Sequence, residues 1–144
     1  MEIEVSFQTN KADVSEEWIR SLLNKVLVEE GCKGKGTISV VLVDNNYIKA
    51  LNSRFLDRDC PTDVLSFILG NRDEEVWGEI YVSDDMAREQ SEQYNVEYKE
   101  ELSRLLIHGL LHLMGYDDSD RESREYMMQK EDYYLNKVGI NRKH

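Results

Sequence analysis

Proline, cysteine and histidine are all scarce in this chain, with one, two and three copies respectively in 144 residues. A single proline and eight glycines exclude collagen-like and low-complexity readings, and an apolar fraction of 40% excludes a disordered one. Cys32 and Cys60 are too few for a disulfide framework and read as reduced thiols. No apolar run approaches the roughly 18 residues needed to cross a bilayer. The opening MEIEVSFQTN carries acids where a signal peptide needs a basic start and an apolar centre, so the expectation is a cytoplasmic protein with no membrane partner. Basic charge is in deficit: 18 Lys and Arg face 29 Asp and Glu, a formal balance of −11. That balance works against counterion-release binding, so no DNA partner is expected and any RNA must be held locally.

A chain of this length matches one domain spanning 1–144. Residues 2–8 alternate strictly, with Ile3, Val5 and Phe7 on one side, the mark of a half-buried strand. Asp13 and Glu16 have capping-box spacing before an amphipathic helix that carries Trp18, Leu22, Leu23, Val26 and Leu27 and stops at Gly31. The β-branched run 38–43 reads as a strand covered on both faces, joined to the first through the helix as a βαβ unit. Asp44 caps a short helix with Ile48, Leu51 and Phe55, broken at 59–62. Strands at 64–69 and 76–82, joined by the polar turn 70–75, form an antiparallel hairpin, so the sheet is mixed. Ser83 starts a helix to about Tyr94, a second runs from about Glu97 to Met114, and Ser119 with Glu122 forms a capping box for a closing helix to about Lys137. The class is α+β: a four-stranded mixed sheet packed with helices. Tyr126, Met127, Met128, Tyr133 and Tyr134 on the closing helix read as packing residues.

From Leu105 to Met114 every residue is apolar or Gly except His108 and His112, so this helix is buried around most of its circumference. At i and i+4 the two imidazoles project the same way, as two ligands of one metal ion must. Gly115 permits the left-handed backbone that ends a helix and turns the chain back, bringing residues 116–118 toward the rings. Asp117, Asp118 and Asp120 all lie close enough to supply a third ligand, and Asp118 is favoured by the spacing H-x-x-x-H-x-x-G-x-x-D. Two His and one carboxylate leave a fourth position for water, as in catalytic rather than structural zinc sites. His144 ends the chain, where disorder is the default expectation. Zinc peptidases of this spacing place Glu after the first His as general base, but here that residue is Gly109, which weakens a peptidase reading. A non-haem iron oxygenase also uses two His and one carboxylate, though the order and spacing suit zinc better.

Three blocks in order, Pro61-Thr-Asp-Val-Leu-Ser-Phe67, Gly78-Glu-Ile-Tyr-Val-Ser83 and His108 to Asp118, resemble the PTDVLSF, GDI-x-I-S and HGxLHLxGYDH segments of the YbeY family of metal-dependent endoribonucleases. The resemblance implies a small α+β fold and one Zn2+ ion, other divalent metals being possible. It also implies action on single-stranded rRNA at the 3′ end of the small-subunit molecule, with the small ribosomal subunit or its proteins as partners and a role in ribosome quality control. Carried over by position, His108 and His112 match the first two ligands and Asp118 stands where the family has a third His. Leu56 stands where the family has an Arg thought to face the substrate, flanked by Arg54 and Arg58, either of which could contact phosphate. Ile68 replaces the usual Pro after the first block. Ser66 is a candidate hydrogen-bond partner for a ligand or for water on the metal, its alternative being a strand hydroxyl satisfied by backbone. Thr62 and Asp63 are expected to fix the start of the third strand through side-chain-to-backbone bonds. The alternative within the family is a metal-binding ribosome assembly factor whose turnover is weakened by Leu56 and Asp118.

Overall fold

The computed structural model describes residues 1–71, 73 and 76–140. Part of the expected 70–75 turn, and His144, therefore lie outside the described residues. The elements are β1 (Glu2–Phe7), α1 (Glu16–Glu29), β2 (Thr37–Val43), α2 (Asn45–Leu56), β3 (Val64–Ile68), β4 (Val76–Ser83), α3 (Asp84–Tyr94), α4 (Tyr98–Leu113) and α5 (Arg121–Lys137). The sheet runs β1-β2-β4-β3, with β1, β2 and β4 parallel and β3 antiparallel to β4. The expected α+β class, βαβ unit and hairpin are all present.

Strand alternation sorts the sheet into two faces. Ile38, Val40 and Leu42 of β2, with Ile80 and Val82 of β4, enter the main core beneath α1 and α4. Val41, Val43 and Leu65 turn to the other face, where α2 covers them with Ile48. Phe55 does not join that smaller core as its helical spacing suggested: it is exposed, while Asn52 is buried and donates to the Cys60 carbonyl at 2.9 Å. The side chain of Asn52 thus ties the end of α2 to the turn before Pro61.

Both capping boxes read from the sequence are displaced. The first helix is capped by Ser15, whose hydroxyl accepts from the Trp18 amide at 3.1 Å, and Asp13 lies outside it. The last is capped by Asp120, which accepts from the Ser123 amide at 2.7 Å. Ser119 cannot serve there because its hydroxyl is committed to Asp117. In each case a closer Ser or Asp in extended conformation takes the cap, which is where such side chains reach the amide of the third helical residue. On α5 the packing expectation divides: Met127 and Tyr134 are buried, whereas Tyr126, Met128 and Tyr133 are exposed.

Candidate metal centre

Helix α4 is the central helix of the fold, with α3 and α5 against its flanks and β3 and β4 beneath it. Every residue from Leu105 to Leu113 is buried except His108 and His112, which are half-buried and open on one side. Gly109 is what allows the helix to lie so close to the sheet. A Cβ there would sit 2.6 Å from Ile80 Cγ2 and 3.0 Å from Val64 Cγ2. Ser66, on the same face of β3, donates its hydroxyl to the Gly109 carbonyl at 2.8 Å. Of its two readings, the structure gives Ser66 the backbone-satisfied one, as a strut between strand and helix. The position that a zinc peptidase fills with Glu faces the sheet and has no room for a side chain.

The helix ends as Gly115 suggested. Its φ is +99°, in the region that disfavours L side chains. The Gly115 amide donates to the His112 carbonyl and the Tyr116 amide to that of Leu111, each at 3.1 Å, the paired bonds of a Schellman motif. Tyr116 then donates its hydroxyl to Glu30 at the end of α1, at 2.5 Å, and anchors the returning chain. Among the three competing acids, Asp117 is engaged by Ser119 and Asp120 by the α5 cap, and these bonds hold both carboxyls below the usual range. Asp118 is the one turned toward the rings.

His108 Nε2 lies 3.1 Å from His112 Nε2, and Asp118 Oδ2 lies 3.5 Å from the first and 3.4 Å from the second. A tetrahedral ion with bonds of about 2.0–2.1 Å sets its ligand atoms about 3.3–3.4 Å apart, so the triangle is the right size for one ion. Three acceptor-capable atoms converging this closely repel one another unless a positive charge lies among them. The donor set of two nitrogens and one oxygen suits zinc. These residues could therefore hold a metal ion.

Residues that had no motif to announce them complete the arrangement. Glu131 Oε2 is 2.7 Å from His108 Nδ1, and Glu131 Oε1 accepts from Arg104 Nη1 at 2.9 Å. Arg104 Nη2 in turn donates to Asp132 Oδ1 at 2.5 Å. With Nδ1–H assigned to Glu131, the lone pair of Nε2 points toward Asp118 and His112. Burial alone lowers the pKa of His108, but the hydrogen bond and charge of Glu131, helped by Asp118 and Asp63, outweigh it and raise the pKa above the usual 6.5. The same field that favours a proton on this ring favours a cation beside it. A sequence signal for Glu131 does exist: it falls on the apolar stripe Met127, Tyr134, Leu135, where an acid requires a buried partner.

Arg54, Leu56 and Arg58 lie apart from this cluster. Arg54 sits on α2, across the sheet from α4, with its guanidinium 5.3 Å from the Phe55 ring centroid. Arg58 is exposed just beyond α2, and Leu56 ends that helix 47% exposed, so a longer side chain there would face solvent. Asp63 differs from expectation: its carboxylate accepts from the side-chain amide of Gln90 at 3.3 Å rather than from backbone. No described helix is long and apolar enough to cross a membrane. Both cysteines are free.

Fold and site together define a small α+β protein with a His-His-Asp cluster at the end of its central helix. The family model "Endoribonuclease YbeY" matches residues 3–139. The chain is 37% identical over 141 residues to the endoribonuclease YbeY of Carboxydothermus hydrogenoformans, covering 96% of this chain and 99% of that protein. It is 35% identical over 156 residues to that of Bacillus subtilis, covering 99% of each. The solution structure of TM1509 from Thermotoga maritima superposes with a TM-score of 0.69 at 32% identity, over 94% of this chain and 88% of that one. The chain belongs to the YbeY endoribonuclease family, hydrolases of RNA phosphodiester bonds.

Proposed function

We propose that this protein is a zinc-dependent, single-strand-specific endoribonuclease acting in maturation of the 3′ end of small-subunit rRNA and in ribosome quality control. The observation that carries this reading is the 3.1–3.5 Å triangle of His108, His112 and Asp118 in a chain of this family. These three residues hold the ion and leave a fourth position open. When bound, zinc supplies a Lewis acid for a phosphate oxygen and lowers the pKa of coordinated water toward about 7.

The chain's own residues set up the rest. Glu131 keeps the Nε2 lone pair of His108 turned toward the centre, and Asp118 contributes an oxygen and one negative charge. Two neutral imidazoles and one carboxylate leave a divalent centre with a net positive charge. That local charge attracts a phosphodiester to a protein whose formal balance is −11. Arg54 and Arg58, on and just beyond α2 and apart from the cluster, would contact the RNA backbone away from the cleaved bond, and the small ribosomal subunit or its proteins present the substrate in the cytoplasm.

The test is incubation of the purified chain with zinc and an end-labelled single-stranded RNA. Cleavage that chelator and His112→Ala both abolish supports the reading. Protein that binds zinc stoichiometrically yet leaves the RNA intact is instead a metal-binding assembly factor, and the enzymatic reading falls.

A further inference from the structure

A cleft of about 560 Å3 opens between α3, α4 and α5, and of the three proposed ligands only His108 reaches its wall. Its volume lies in the range of about 300–1,000 Å3 typical of small-ligand sites. Tyr94 and Met128 line it at 55% and 54% exposure, large apolar side chains that the core does not use. Among the described residues no other aromatic ring stacks on Tyr94. Deeper in the wall, Gln90 and Asp63 are hydrogen-bonded to each other. Arg104, nine-tenths buried, also lines the cleft, its two terminal nitrogens committed to Glu131 and Asp132.

The charges on its wall decide what the cleft takes. Asp63, Glu101 and Glu131 face the cleft against the single guanidinium of Arg104, so a phosphate is repelled and a neutral ring is not. A ring with hydrogen-bond donors on its edge meets the Asp63 carboxylate and the Gln90 amide, and its face meets Tyr94. Among the four RNA bases guanine alone sets two neighbouring donor nitrogens, N1 and N2, on one edge for a carboxylate to accept from, whereas uracil offers one donor and no amino group.

We propose that this cleft is a nucleobase subsite that holds a guanine of the substrate strand beside His108, with Tyr94 as stacking platform and Asp63 and Gln90 reading its edge. This rests on the assignment of the centre as RNA-cleaving and names which part of the strand lies next to it.

The test does not depend on turnover. The isotope-labelled full chain is titrated by NMR with 5′-GMP, 5′-AMP, 5′-CMP, 5′-UMP and ribose 5-phosphate. GMP is expected to bind at least about tenfold tighter than UMP or ribose 5-phosphate, shifting the amides of Gln90 and Tyr94. Tyr94→Leu and Gln90→Leu each weaken GMP about tenfold, a size typical of one lost stacking or edge contact, Tyr94→Phe restores it, and zinc affinity stays unchanged in all three. Equal affinity for all five probes, or GMP affinity unaltered in both leucine variants, overturns the subsite. GMP selectivity in a protein that cleaves no RNA keeps the subsite and removes the nuclease reading. Cleavage without base-selective binding does the reverse.

Discussion

The Oε2 oxygen of Glu131 lies 2.7 Å from Nδ1 of His108, linking the closing helix to the first ring of the candidate metal centre. The carboxylate fixes both the orientation of the ring and which nitrogen carries the proton. Arg104 then fixes the carboxylate from behind, at 2.9 Å. Glu131→Gln keeps the side-chain volume and a hydrogen bond while removing the charge that makes His108 a stronger donor to a cation. Zinc affinity is expected to fall about 10- to 100-fold. Competition with a chromophoric chelator measures it, and an unchanged dissociation constant would falsify the positioning role.

In the motif that His108 to Asp118 resembles the last position is His, and an Asp there changes the charge at the centre. An anionic oxygen would leave less positive charge on a bound ion than a neutral imidazole, so water coordinated there would be less acidic. Asp118→His is expected to move the ascending limb of the pH-rate profile for RNA cleavage to lower pH. A limb that stays in place, or moves upward, contradicts this account of how the ligand tunes the site. Metal content of the variant, measured on the same preparation, separates a tuned site from a lost one.

The parts of this molecule that were legible in its sequence are those in which neighbouring positions carry the signal. Period-two alternation in β1, the apolar run of β2, the buried span of α4 and the Gly115 turn each declare themselves within a few residues. The selection of Asp118 over Asp117 and Asp120 followed from spacing, and the structure supplies the cause, because the other two acids are engaged in a turn and a cap. Glu131 is signalled only as an acid on an apolar stripe, and its pairing with Arg104 is hidden because the two are 27 positions apart and meet only when α5 folds back on α4. Asp63 and Gln90, likewise 27 positions apart, meet only when α3 comes against the start of β3. Gly109 was read for the base it lacks, when its physical task is to let two layers touch.

That task makes Gly109 sensitive to a single methyl group. An added Cβ falls 2.6 Å from Ile80 Cγ2 and 3.2 Å from Ser66 Oγ, so α4 must lift from the sheet or Ile80 must leave its rotamer. Overpacking of this kind costs about 1–3 kcal/mol. Gly109→Ala is expected to lower the melting temperature by several degrees, read by circular dichroism. Zinc affinity is expected to fall with it, since both imidazoles ride on the displaced helix. A variant that melts with the native protein shows that the layers have slack there.

Glu30 ties the end of α1 to the segment that carries Asp118. It accepts from the Tyr116 hydroxyl at 2.5 Å, from Lys130 at 3.0 Å, and from the Tyr134 hydroxyl as well. Desolvation pushes its pKa up, but these three hydrogen bonds together outweigh that cost, and the pKa is lowered from the ordinary 4.5. The sign of the pH dependence follows. A carboxylate with a depressed folded-state pKa contributes stability that is fully present above its unfolded pKa and is lost as pH falls through the folded value. The native protein is therefore expected to lose stability on acidification below about pH 5 in part through this group. Glu30→Gln removes a charge that two hydroxyls and an ammonium share. It is expected to cost about 2 kcal/mol near neutrality, the scale of hydrogen bonds to a charged group. Its melting temperature is expected to fall less steeply between about pH 5 and 3, because the titrating group is gone. Parallel melting curves for variant and native protein across that interval would show that the Tyr116 anchor holds without its charge.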